Sequence, residues 1–107
     1  SNSCYSFFIS FVMNRPLDPE IVLEYCCSRF NVPRWVVTSK ERRNKEEVNL
    51  RKKIVLLLIE LTNLKQEEVA KIVNRKRALV DYYRKSLGEK DFADCKKIKE
   101  EIRNLYE

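Results

Sequence analysis

Two apolar stripes in the second half of the chain predict a pair of short helices joined by a tight turn. In the first helix, Val69, Ile72 and Val73 recur at intervals of three and four residues, which places them on one face. Asn74 follows, and Asn tolerates the left-handed backbone conformation in which many helices end. The second helix turns a similar stripe inward, made of Val80, Tyr83 and Leu87 with Leu79 at its edge.

This arrangement is typical of a helix-turn-helix, whose second helix lies in the major groove of DNA with its first residues against the bases. We expect the second helix to begin near Arg77 and to end at Gly88. Its outward residues are candidates for DNA contact: Lys76, Arg77, Ala78, Tyr82 and Lys85. A helical hairpin inside an ordinary bundle has the same apolar spacing, so the motif alone leaves both interpretations open.

The first half of the chain predicts one helix and one short helical turn. Asp18 and Pro19 are residues typical of a helix N-cap and first position, and the helix runs to about residue 30. Pro33 opens the helical turn, in which we expect Trp35 and Val36 to pack inward. The inner stripe expected for the helix comprises Ile21, Val22, Tyr25 and Cys26.

Two longer helices complete the predicted fold. Residues 54–59 are apolar on nearly every face, which indicates the buried centre of a bundle. The single Gly and three Pro leave little material for hairpin turns. The sequence therefore predicts an all-α fold, a small helical bundle with a central buried helix and a helix-turn-helix. The last helix carries one apolar stripe and either closes the bundle or pairs with another chain: Phe92, Cys95, Ile98, Ile102 and Leu105.

The domain is expected to span residues 18–107, preceded by a separate segment, residues 1–17. Ser1 and Asn2 are typical of a cleaved expression tag, and residues 4–13, CYSFFISFVM, form a largely apolar run. A run of ten residues is too short to span a bilayer, so we expect no membrane partner. Two interpretations stay open for this segment: it docks on the core or on a second copy, or it is a translated leader before Met13.

The positive charge is concentrated around the proposed helix-turn-helix. Residues 40–90 contain fifteen basic and eight acidic side chains, whereas the formal charge of the whole chain is +6. Such a concentration favours phosphate binding, although a run of charges is more often a solvated surface. Within it, Arg42, Arg43 and Lys45 are expected to form a loop that can enter the minor groove, with Asn49 capping or continuing the helix that follows.

Few residues of this chain are suited to catalysis or metal binding. There is no His, and the four Cys form no C-x-x-C pair. No Ser or Cys has an activating partner nearby in the sequence. We therefore expect no enzyme activity, no metal and no cofactor, and free thiols in a reducing cytoplasm.

Three stretches resemble a known family: the helix before FNVPRWVVTSKERRNK, the helix ending in IELTNLKQEEVAKIV, and the helix-turn-helix. In order and length, residues 21–87 are similar to the C-terminal DNA-binding domain of the bacterial replication initiator DnaA, a Trp-repressor-like fold. The resemblance implies that Arg43 enters the minor groove with Arg42 and Lys45 beside it. It also implies that Arg51 contacts the DNA backbone.

The base-reading signature of that family has diverged in this chain. The family has Gly-Arg-Asp-His-Ser/Thr-Thr-Val, where this chain has NRKRALV at residues 74–80. Arg75 and Val80 keep the pattern, but basic and apolar residues replace the Asp, His and hydroxyl residues. Because Asp accepts hydrogen bonds and Lys or Arg donates them, a conventional DnaA box is not the expected target.

Two functions follow as expectations. The first is sequence-dependent binding of double-stranded DNA by a stand-alone reader, nucleoid-associated in the cytoplasm, since the chain has no G-x-x-x-x-G-K nucleotide-binding motif. Its biological setting would be replication control, transcription control or a mobile element. The alternative is a protein-interaction or oligomerisation module that keeps the fold, has lost base reading, and self-associates through the N-terminal segment or the final helix.

Overall fold

The computed structural model describes residues 16–39 and 44–106, and this part of the chain contains six helices and no strand. The predicted all-α bundle is confirmed. The helices are α1 (Pro19–Arg29), α2 (Arg34–Thr38), α3 (Lys45–Leu61), α4 (Gln66–Val73), α5 (Arg77–Ser86) and α6 (Glu89–Tyr106). The apolar segment before residue 16 lies outside the described residues. Within them, no helix combines the length and apolar character needed to cross a membrane.

Helix α3 is the buried centre of the bundle, as predicted, and it packs against each of the other five helices. Five consecutive residues, 54–58, are buried because neighbours surround the helix. The helix begins earlier than the sequence predicts: the side-chain Oδ1 of Asn44 accepts a hydrogen bond from the Glu47 N–H at 2.9 Å and caps the first turn. Asn49 therefore lies inside the helix, and Lys45 is its first residue and not part of a loop.

Helix α1 begins as predicted, with the Asp18 carboxylate accepting the Glu20 N–H at 2.9 Å and Pro19 in the first position. Val22 and Cys26 are buried as predicted, but Ile21 and Tyr25 are only partly buried. Leu23 and Cys27 are buried in their place, so the inward face of α1 is shifted by about one residue.

Helix α2 differs from the prediction at one residue. Trp35 is 52% exposed, so its predicted inward packing is wrong. The single turn of α2 buries two adjacent residues, Val36 and Val37, and Trp35 lies outside that pair.

The α4–turn–α5 unit has the predicted geometry. Asn74 adopts the left-handed conformation, with φ 58° and ψ 47°. The Arg75 N–H donates to the Ala70 carbonyl at 2.8 Å, and the Asn74 N–H donates to the Lys71 carbonyl at 3.3 Å. This pair of bonds is a Schellman motif, which satisfies the last carbonyls of α4 and sets the turn. The apolar residues that join the two helices to the core are buried: Val69, Ala70, Val73, Val80, Tyr83 and Leu87.

Gly88 does not end α5 as predicted. The helix ends at Ser86, and Leu87 already has an extended backbone, with φ −72° and ψ 137°. Gly88 belongs instead to the start of α6, where its carbonyl accepts the Phe92 N–H at 3.0 Å.

Helix α6 runs parallel to α3 and closes the bundle within this chain. Polar contacts advance together along both helices, from Asn49–Asp91 at 3.2 Å to Glu60–Lys99 at 3.1 Å. The middle of the predicted stripe is buried, but Phe92 and Leu105 are exposed. Because residue 60 already lies opposite residue 99, α6 continues beyond the end of α3, and Leu105 has no part of α3 to cover it.

Candidate nucleic-acid interface

Five of the sequence-predicted DNA-contact residues lie together at the start and along the outward side of α5. Lys76 precedes the helix with an extended backbone, and Arg77 is its first residue. Ala78, Tyr82 and Lys85 follow at intervals of four and three residues, which places them on one face. All five side chains are exposed. This face carries three cations, one small apolar side chain and one aromatic hydroxyl.

The cations on this face have weak or local partners. Arg77 Nη1 lies 3.5 Å from Glu67 Oε1, and both side chains are about two thirds exposed. Such an exposed pair contributes little to stability, so the guanidinium can exchange partners at low cost. Lys85 Nζ lies 3.0 Å from Asp81 Oδ2, and its hydrogen bond is the main reason that the pKa of Asp81 is lowered. Asp81 is therefore ionised at neutral pH.

A surface groove lies beside the first turn of α5, where that helix meets the end of α4. Its apolar lining comes from Ala70, Ala78 and Leu79, and Tyr82 also contributes to it. Ala70 is buried, and its small side chain lets α5 approach α4 closely. The polar lining is largely basic and comes from Lys71, Asn74, Arg75 and Lys76. The groove therefore continues the positive surface from α5 onto α4.

Lys52 is a member of this surface that the sequence analysis missed. Its Nζ lies 5.3 Å from the ring centroid of Tyr82 and 5.9 Å from that of Tyr83, distances typical of cation–π contacts. Lys45, seven residues earlier on α3, lies on the same side, and both line one surface depression. The spacing of seven residues between Lys45 and Lys52 indicates a shared side only if Lys45 belongs to the helix. The sequence predicts a loop at Lys45, so the pair is not evident from the sequence.

Arg51 is not on this surface, which corrects its assignment to the DNA backbone. Its side chain is only 2% exposed, and Nη2 donates to the Val36 carbonyl at 2.7 Å. The guanidinium thus ties α3 to α2 inside the protein. A phosphate could reach it only if these helices separated.

Arg42 and Arg43 lie outside the described residues, so their assignment to the minor groove stays a prediction. The described chain stops at Ser39 and resumes at Asn44, which is next to Lys45 on α3.

The thiols in the described part of the chain lie in the core. Burial is the first cause that raises the pKa of Cys26, to about 12, and of Cys95, to about 11. Both therefore stay protonated at neutral pH and behave as small apolar side chains. Among the described residues, no three His, Cys, Asp or Glu side chains are grouped so that they could hold a metal ion.

Comparison with known proteins adds no relative: no family model, no curated protein and no solved structure matches this chain. The similarity to the DnaA domain therefore stays a prediction, based on the sequence of residues 21–87.

Proposed function

We propose that this domain binds double-stranded DNA by placing the first turn of α5 in the major groove. One observation carries the proposal: the helix-turn-helix geometry coincides with exposed basic residues at the start of its second helix. The Schellman turn at Asn74 fixes the crossing of α4 and α5, and Lys76 and Arg77 stand exposed where α5 begins. A hairpin with only a packing role has no need for two cations at a helix N-terminus, where the helix dipole disfavours them.

The proposed base contacts come from three neighbouring residues. Arg77 and Lys76 are hydrogen-bond donors, and such donors pair best with guanine O6 and N7. Ala78 is small and apolar and fits against a thymine methyl group. The expected DNA site is therefore rich in guanine where it meets the start of α5. It differs from the site that a helix with Asp in place of Lys76 or Arg77 would select.

The proposed phosphate contacts surround these base contacts. Tyr82 and Lys85 extend along α5, while Lys45 and Lys52 approach from α3, and Lys52 lies above the Tyr82 ring. Arg42 and Arg43, which lie outside the described residues, are proposed to contact DNA beside the minor groove, as the sequence predicts. Such contacts release counterions, so the binding should depend strongly on salt.

Titration of the full chain against fluorescent duplexes tests this proposal. We would use random, GC-rich and AT-rich duplexes at about 50 and 200 mM salt and measure anisotropy. The three lysines among these contacts, Lys45, Lys52 and Lys85, predict a log–log salt slope of about −2.7, which is roughly a 40-fold loss of affinity over that range. We expect sub-micromolar binding at the lower salt concentration. Absence of binding there would contradict the proposal.

The second candidate function is the protein-interaction or oligomerisation module. It is favoured by the exposed apolar residues of α6, namely Phe92, Leu105 and Tyr106. A partner or a second copy could cover them without any involvement of α5. This candidate becomes the better one if the duplex titration shows no binding.

A further inference from the structure

Asp81 occupies an unexpected place for an acidic residue, on the outward side of the proposed recognition helix. It follows Arg77 by four residues, one helical turn or about 6 Å along the axis of α5. A carboxylate in this position is repelled by DNA phosphates and should weaken binding to every duplex alike. A specific hydrogen-bond donor on the DNA, whose hydrogen bond the carboxylate accepts, would offset this general cost.

The surroundings of Asp81 keep its carboxylate ionised and partly neutralised. Oδ1 lies 3.2 Å from Arg84 Nη2, and Oδ2 lies 3.0 Å from Lys85 Nζ. The Gln66 side chain also contributes a hydrogen bond that lowers the pKa of Asp81. An ionised carboxylate has about four acceptor positions, so these partners leave it able to accept another donor. The two cations reduce the repulsion that the carboxylate meets near phosphates.

We infer that Asp81 is a specificity-determining residue that accepts a hydrogen bond from the N4 amino group of cytosine, close to the base that Arg77 contacts. This inference rests on the proposed DNA binding by α5. Cytosine presents only a donor to the major groove, and carboxylates pair with it. Guanine O6 and thymine O4 are acceptors that repel a carboxylate, and adenine places its N7 acceptor next to its amino group.

The two charges then select bases in opposite ways. Arg77 forms two hydrogen bonds with a guanine, whereas Asp81 disfavours every base that displaces water from its carboxylate without donating a hydrogen bond to it. Removing the carboxylate should therefore tighten binding to duplexes without cytosine at this position and weaken the discrimination between cytosine and the other bases. A residue that only held Arg84 and Lys85 in place would change the affinity for all sequences equally.

Selection of the full chain against a library of randomised duplexes, followed by sequencing and anisotropy titration, tests this inference. The variants are Asp81→Ala and Asp81→Asn, and the matched control is Glu100→Gln, which removes the same charge from an exposed position on α6. We expect the wild-type chain to prefer cytosine at one position. Asp81→Ala should lose that preference by about fivefold or more, and Asp81→Asn should shift it toward adenine, which Asn pairs with. Glu100→Gln should keep the cytosine preference.

The outcomes separate this inference from the function on which it rests. If the wild-type chain binds no duplex, the proposed function fails, and the role of Asp81 fails with it. If the wild-type chain binds duplexes and both Asp81 variants keep the same base preferences, only the role of Asp81 is overturned. Far-UV circular dichroism checks that the variants are folded, which we expect because the ion pairs of Asp81 are partly exposed and contribute little to stability.

Discussion

Replacing Arg77 by alanine should weaken binding to the preferred duplex by about 1–3 kcal/mol, roughly 5- to 150-fold, and should relax the base preference at one position. The guanidinium is exposed at the first position of α5, and the proposal gives it a pair of hydrogen bonds to guanine. Anisotropy titrations with the preferred duplex and with single-base variants of it measure both effects.

The Arg77 result can be separated from loss of folding. Arg77 makes only an exposed contact with Glu67, and a cation at a helix N-terminus opposes the helix dipole, so the variant should be as stable as the parent. Lys96→Ala is the matched control, because it removes one exposed positive charge from α6. Equal losses of affinity in the two variants would show that net charge alone matters and would contradict the assignment of Arg77.

Replacing Leu58 by alanine should lower the free energy of unfolding by about 2–5 kcal/mol. Leu58 is fully buried in the last turn of α3, the helix that packs against all five of the others, so the cavity would open inside the core. Small domains are stable by only about 5–15 kcal/mol, so this variant should lose a large share of the total. Urea unfolding followed by circular dichroism measures it.

A leucine on the surface provides the control for this experiment. Leu105 is 63% exposed beyond the end of α3, and Leu105→Ala should change the free energy of unfolding by no more than about 0.5 kcal/mol. If the two leucine variants were equally stable, α3 would not be the centre of the core. A marked loss in Leu105→Ala alone would instead indicate that a second copy covers the end of α6.

The parts of the fold that the sequence predicts well are those determined by local rules. The apolar spacing of α4 and α5 and the tolerance of Asn74 for the left-handed conformation are properties of a few neighbouring residues. The same is true of the cap of α1, where Asp18 and Pro19 act within one turn. The unbroken apolar run of α3 also indicates its place, because only a helix surrounded by others can bury every face.

The parts that the sequence does not predict depend on contacts between distant segments. Arg51 is buried because the Val36 carbonyl, fifteen residues away, accepts its hydrogen bond, and no periodicity within α3 reveals that partner. Trp35 is exposed because the short helix α2 turns Val36 and Val37 toward the core, and Trp35 lies outside that pair. Leu105 continues an apolar stripe correctly, but the neighbouring helix ends before it.

The candidate site was predictable in its central part and not at its border. Lys76, Arg77 and Ala78 follow directly from the helix-turn-helix pattern. Lys52 does not follow from that pattern. It belongs to the site because α3 crosses α5 so that the ammonium group of Lys52 lies over the Tyr82 ring. Asp81 is not predicted for another reason: the pattern expected of a DNA-contacting surface is one of cations, and a carboxylate among them does not belong to that pattern.

The most direct test of DNA binding by α5 is to map the bound surface by nuclear magnetic resonance. The isotope-labelled chain would be titrated with a short duplex, and the amide shifts would be followed residue by residue. The proposal predicts the largest changes at residues 74–85, with smaller ones at residues 45–52 and almost none at residues 96–106. Shifts concentrated in α6, or no shifts with any duplex at low salt, would contradict it.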